Sequence, residues 1–144
     1  MLVQQILNSK ASDTVVTVKP GTLVRDAAQI LAEKRIGTVV VSVAGETADG
    51  ILSERDIVLE LAMHGAGCLT RKVDDFMTTK LVTCTRSDSA DQVLQQMTDG
   101  RFRHMPVVEG GKLIGLITIG DVGKSRLSEL SMEKDALQGM IMGH

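Results

Sequence analysis

Aromatic side chains are almost absent from this sequence. Phe76 and Phe102 are the only two, 1% of the residues, and there is no Trp or Tyr. That excludes an aromatic cage or a stacking platform for bases. A planar ligand would have to be held between aliphatic side chains, to which the eight Met residues add adaptable thioethers. Cysteine is equally scarce: Cys68 and Cys84 form no metal-type spacing and read as reduced thiols. Neither sign of charge dominates. Sixteen basic residues face 18 acidic ones, the net charge is −2, and no basic run exists to neutralise a phosphate backbone. No apolar run approaches the roughly 20 residues of a membrane span. Met1-Leu2-Val3-Gln4-Gln5-Ile6 lacks the basic and long apolar segments of a signal peptide. The expected location is cytoplasmic, with neither nucleic acid nor membrane as partner. Gly-x-Ser-x-Gly, His-Glu-x-x-His and Walker-type loops are all missing, so no enzyme is expected.

What the sequence does have is one sentence written twice. Gly50-Ile51-Leu52-Ser53-Glu54-Arg55-Asp56-Ile57 returns as Gly115-Leu116-Ile117-Thr118-Ile119-Gly120-Asp121-Val122, 65 positions later. Upstream, Thr22 to Ala28 aligns with Asp88 to Leu94, and Ile36 to Val41 with Phe102 to Val107, at an offset of 66. The one-residue change places an insertion within Ser42 to Asp49, a turn where insertions are tolerated. A period this long means two copies of one supersecondary unit. They would be related by a pseudo-twofold axis, with a cleft on it. The 144 residues, 43% hydrophobic and 24% charged, suit one compact domain. Half of it is too short to stand comfortably alone, so a core shared by both copies is expected.

The coarse reading is α/β. Val3, Ile6 and Leu7 predict a short N-terminal helix over residues 1–10. Thr14 to Val18 reads as a strand, Pro20-Gly21 as a turn, and Thr22 as the cap of a helix burying Leu23, Ala27, Ile30 and Leu31. Thr38 to Val41 is a β-branched run suited to a strand buried on both faces. Gly50 to Leu52 is another strand, and Ser53 opens a helix. The second copy repeats the order: a strand over Leu81 to Thr85, a helix capped by Asp88, a strand from Met105 to Val108, a turn, a strand from Leu113 to Ile117, and a helix opened by Thr118. Each repeat is thus β-α-β-β-α, over 11–66 and 67–127, with Gly65-Ala66-Gly67 as the linker. Residues 128–144 form a helical tail on which Leu127, Leu130, Leu137 and Ile141 are roughly in phase. A dimer contact and a loose helix lying on its own domain both fit that stripe.

Two sets of residues could carry chemistry. Ser53/Asp56 and Thr118/Asp121 match a helix-capping box, the ordinary reading of Ser/Thr-x-x-Asp before an apolar helix. Their occurrence twice in one phase adds a second reading. A helix N-terminus offers free N–H groups to an anion, and an ionised Asp suits two vicinal hydroxyls, as on a ribose. Arg103-His104 stands where the first copy has Gly37-Thr38; Arg supplies a donor fork for phosphate and His a further donor. Arg55 is a weaker phosphate candidate. Asp56 and Asp121 as a glycosidase-type carboxylate pair are disfavoured by the lack of aromatic sugar platforms.

These residues resemble a tandem pair of cystathionine β-synthase (CBS) domains, a Bateman module of the stand-alone bacterial type. The resemblance rests on the doubled Gly–apolar–apolar–Ser/Thr–x–x–Asp segments, on Asp75-Phe76-Met77-Thr78, and on Gly100-Arg101-Phe102-Arg103-His104-Met105-Pro106-Val107. It covers roughly 11–127. It implies a non-catalytic sensor that binds AMP, ADP, ATP, NAD(H) or, less readily, S-adenosylmethionine between the repeats. By the same resemblance, one site would use Thr118, Asp121 and Leu116 with Val16, Ile36, Gly37 and Thr38 from the other repeat. The pseudo-symmetric site would use Ser53, Asp56 and Ile51 with Thr78, Val82 and Phe102. Arg103, His104 and Arg55 would lie toward the phosphates. A homodimer and an unidentified downstream protein are the implied partners. A dimerisation or interaction module with vestigial pockets is the rival expectation.

Overall fold

The structure, a computed structural model, describes residues 1–10 and 14–141. His144, read as a tail residue, lies outside them. The elements run α1 (Val3–Ser9), β1 (Thr17–Val18), α2 (Val24–Lys34), β2 (Thr38–Val41), β3 (Gly50–Ser53), α3 (Glu54–His64), two 3-10 turns (Gly65–Thr70 and Val73–Asp75), α4 (Ala90–Gly100), β4 (His104–Glu109), β5 (Lys112–Thr118) and α5 (Ile119–Ile141). In the first repeat β2 is central. It pairs in parallel with β1 and antiparallel with β3, Val40 facing Ile51 across the ladder. In the second, β4 and β5 pair antiparallel, Met105 opposite Ile117, with an irregularity between Val107 and Val108.

The expected strand over Leu81 to Thr85 is reduced to a single parallel bridge between Cys84 and Val107. The repeat itself explains the loss. In the first copy Val40 donates its N–H to the Val16 carbonyl. The residue 66 positions on is Pro106, which has no N–H to give. Only the bonds through Cys84 survive, from its N–H to the Pro106 carbonyl and from the Val108 N–H to its own carbonyl. Residues 81–83 are left outside the sheet, free to line a cavity.

Other expectations move by a residue. Leu23 rather than Thr22 is the N-cap of α2; the Thr22 hydroxyl donates to the Lys19 carbonyl instead. Ser89 caps α4 by accepting the Gln92 N–H, while Asp88 accepts the Thr85 N–H one turn earlier. The Gly65-Ala66-Gly67 linker is the start of a 3-10 turn that buries Cys68.

The repeats do not share one core. Val18, Val24, Ala27, Leu31, Val39, Val41, Leu52, Ile57 and Val73 form the first cluster. Cys84, Val93, Met97, Met105, Val107, Ile117 and Val122 form the second, together with Val3, Ile6 and Leu7 of α1. The N-terminal helix therefore belongs to the core of the distant repeat, and its Val3 and Gln4 N–H groups bond to the Asp88 and Arg86 carbonyls. This added apolar surface helps the second half reach a core of its own. Gly50 and Gly115 mark the close approaches: a Cβ would meet Met77 Sδ at 2.5 Å in one repeat and Leu7 Cδ2 at 2.8 Å in the other. Beyond Ser125, α5 projects Leu127, Leu130, Leu137 and Ile141 into solvent. Among the described residues no helix is long and apolar enough to cross a membrane.

Candidate functional site

Both Ser/Thr-x-x-Asp segments fold as reciprocal capping boxes. Asp56 accepts the Ser53 N–H on Oδ2 at 2.9 Å, and Ser53 Oγ accepts the Asp56 N–H at 3.1 Å. Asp121 accepts the Thr118 N–H on Oδ2 at 2.9 Å, and Thr118 Oγ1 accepts the Asp121 N–H at 3.0 Å. The caps fix the carboxylates at two helix N-termini, where the helix dipole favours negative charge. Capping uses one oxygen of each. In both, Oδ1 accepts no hydrogen bond among the described residues.

A cavity of about 720 Å³ opens beside Asp56, within the range of small-molecule sites. Ile51, Ser53, Arg55 and Asp56 line one side, and Thr78, Val82, Phe102, Arg103 and His104 lie around it. All six residues assigned to this site in the sequence are therefore brought together, with Arg55, Arg103 and His104 beside them. Among the described residues Asp56 makes no ion pair.

A second cavity of about 610 Å³ is lined by Val16, Ile36, Gly37, Thr38, His104, Leu116 and Thr118. The seventh expected residue, Asp121, is not on its wall. Lys10 is, and its ammonium reaches Asp121 Oδ2 at 2.9 Å and the Leu116 carbonyl at 2.8 Å. Gly37, His104 and Thr118 line both cavities and form the partition between them, whereas Arg103 faces only the first. Thr38 is buried, and its hydroxyl donates to the Leu52 carbonyl.

The electrostatics follow from these neighbours. Burial pushes His104 below its ordinary value against the opposing pull of Glu54, and Arg103 adds to the lowering. The imidazole is neutral at pH 7. Burial with the nearby Asp88 carboxylate pushes the Cys84 thiol up to about 12, so it stays protonated and inert. For Asp121, burial alone would raise the carboxyl. The Thr118 N–H and the Lys10 ammonium outweigh it and hold the group below its ordinary 3.8. The unfolded chain therefore binds more protons in the acid range. The stability this carboxylate contributes is complete above 3.8 and is lost as the pH falls through the lowered folded value. Thermal melts from about pH 6 to about pH 3 are expected to show the gap between wild type and Asp121→Asn closing as the pH falls. A constant gap would contradict this.

Several lining residues were missed in the sequence. Arg35 and Arg101 end α2 and α4 in the left-handed region, φ 53° and 56°, and line the second and first cavity respectively. They stand 66 positions apart, so the repeat offset could have found them. Lys80, Lys34 and Lys10 carry no such signal.

Two repeats of one strand–helix–strand–strand–helix plan, the second with its first strand reduced to a bridge, each with a helix-capped aspartate and with two clefts between them, define the class to which this protein is similar. The sequence model of the CBS domain matches residues 3–63 and again 73–126. The chain belongs to the CBS-domain family. A CBS-domain containing protein from Agrobacterium tumefaciens is 43% identical and superposes with a TM-score of 0.83, over 88% of this chain and 99% of that one. The mitochondrial CBS domain-containing protein CBSX3 of Arabidopsis thaliana is 35% identical over 124 residues, 83% of this chain and 60% of its own length. The chain thus spans less than two thirds of that relative, and under a quarter of two longer plant relatives. A CBS domain protein from Pyrobaculum aerophilum, solved with AMP, shares the fold at 22% identity, with a TM-score of 0.74 over 84% of this chain and 89% of that one.

Proposed function

We propose that this chain is a non-catalytic regulatory module that binds an adenosine-containing ligand between its two CBS repeats, first in the cavity beside Asp56. The observation that carries this reading is the capped Asp56 carboxylate, which faces a cavity of about 720 Å³ with Oδ1 free of hydrogen bonds among the described residues. An ionised carboxylate only accepts, so a vicinal diol is a matching partner. Ile51, Val82 and Phe102 offer an apolar lining for a purine, and Arg55, Lys80, Arg101 and Arg103 supply cationic donors for phosphate. AMP in the Pyrobaculum aerophilum relative supports this ligand class.

Signalling is proposed to follow from the lining. Gly37 and Asp56 come from the first repeat, Arg103 and Thr118 from the second. A ligand touching both has different affinities for different arrangements of the pair and shifts their populations. A second copy is the proposed partner of the exposed apolar side chains on α3, Val58, Leu59 and Met63. The exposed stripe on α5 favours a second reading, in which binding another protein is the main function and the cavities are idle.

Calorimetric titration with AMP, ADP, ATP, NADH and S-adenosylmethionine separates the two. The sensor reading expects micromolar binding of at least one, near −8 kcal/mol. Silence across the panel with folded protein would leave the interaction reading.

A further inference from the structure

The two carboxylates that the repeat makes equivalent are not equivalent in their surroundings. Each carboxylate oxygen offers about two acceptor positions. At Asp121, Oδ2 spends both, one on the Thr118 N–H and one on the Lys10 ammonium. At Asp56, Oδ2 takes only the Ser53 N–H, and one position stays open. Asp56 lines its cavity; Asp121 does not line the other, where Lys10 stands instead.

The repeat offset shows where the difference arises. Sixty-six positions after Lys10 stands Phe76. Phe76 packs against the first core, stacked with His64 and under the Arg71 guanidinium, and makes no claim on Asp56. Lys10 directly follows α1, whose Val3, Ile6 and Leu7 are anchored in the core of the second repeat. That anchorage delivers the ammonium to a carboxylate 111 positions away in the chain. The ammonium also donates to the carbonyl of Leu116, itself a cavity-lining residue.

We propose that Lys10 sets the ligand preference of the second cavity: its ammonium occupies the Asp121 carboxylate in the free protein, so an adenosine ligand fills the Asp56 cavity first and enters the Asp121 cavity only by displacing Lys10. This rests on the reading of both carboxylates as diol acceptors. A diol that engages both Asp121 oxygens must take the acceptor position the ammonium holds. The ligand therefore loses an ion pair at this cavity that it does not lose at the other. The N-terminal helix becomes the element that reports occupancy of the second cavity, because the residue that directly follows it is what moves.

The test is calorimetric titration with AMP in an Asp56→Ala background, which leaves the Asp121 cavity alone. Adding Lys10→Met is expected to tighten AMP binding there about tenfold, or ~1.4 kcal/mol. Lys10→Arg should restore the weak binding, and Lys10→Gln is the second variant should Lys10→Met fold poorly. In an Asp121→Ala background, Lys10→Met should leave AMP binding at the Asp56 cavity unchanged. Binding at the Asp121 cavity that is unaltered or weakened by both Lys10→Met and Lys10→Gln would overturn the inference while leaving the adenosine reading intact, provided that wild type binds AMP. Binding of none of AMP, ADP, ATP, NADH and S-adenosylmethionine to wild type or any variant would overturn both.

Discussion

The Asp56→Ala variant is expected to bind AMP several hundredfold more weakly than wild type at the first cavity. Two ribose hydroxyls donating to an ionised carboxylate make charge-assisted hydrogen bonds worth ~1.5–3 kcal/mol each. At the lower end of that range, losing both removes ~3–4 kcal/mol, and each 1.4 kcal/mol is about tenfold in affinity. The same substitution deletes one half of the capping box with Ser53, so about 1 kcal/mol of stability should go with it. The protein stays folded, because the loss is small beside the ~5–15 kcal/mol typical of a domain. Calorimetry reads the affinity and a thermal melt reads the cap. Asp56→Asn keeps an acceptor for the Ser53 N–H and removes the charge, so it should weaken binding by less than Asp56→Ala. An Asp56→Ala protein that binds AMP as wild type does would remove the carboxylate from the site.

The largest expected effect on stability is at Met105. Its side chain is fully buried in the second cluster, on β4 opposite Ile117, with Met97 and Val93 of α4 in the same core. Truncation to Ala removes three heavy atoms and leaves a space that a close-packed interior fills only in part. The Met105→Ala variant should lose ~3 kcal/mol, within the 2–5 kcal/mol usual for such changes. Met132→Ala on α5, where the side chain is 68% exposed, should change stability by less than about 0.5 kcal/mol. Urea unfolding with an unchanged denaturant slope measures both. A Met105→Ala loss below about 1 kcal/mol would mean that the second repeat does not depend on this core.

Much of this architecture is legible because the chain states it twice. The capped aspartates, the buried β-branched run of β2 and the β-α-β-β-α order all come from local patterns that repeat in phase. The failures are equally physical. The strand expected at 81–85 depended on a partner N–H that Pro106 lacks, a fact of pairing invisible in the propensity of Leu81 to Thr85. The caps of α2 and α4 slipped by one residue because neighbouring residues compete for the role. Asp88 and Ser89 can both cap, and the Thr22 hydroxyl found a nearer carbonyl at Lys19. The separate cores were hidden because α1 packs on the repeat farther from it in sequence. The same crossing hid Lys10, whose partner Asp121 lies far beyond any local pattern. At the first cavity every residue assigned to the Asp56 site lines the wall, but Lys80 and Arg101 there went unread as well.

The central claim is that an adenosine ligand sits between the repeats against Asp56. The most direct measurement is a titration of 15N-labelled protein with AMP, followed on backbone amides. The account predicts that the largest shifts fall on Ile51, Ser53, Asp56, Thr78, Phe102 and Arg103, the two repeats responding together at one ligand concentration. Shifts confined to α5 or to exposed loops, or no shifts with millimolar AMP, ADP, ATP, NADH or S-adenosylmethionine, would contradict it.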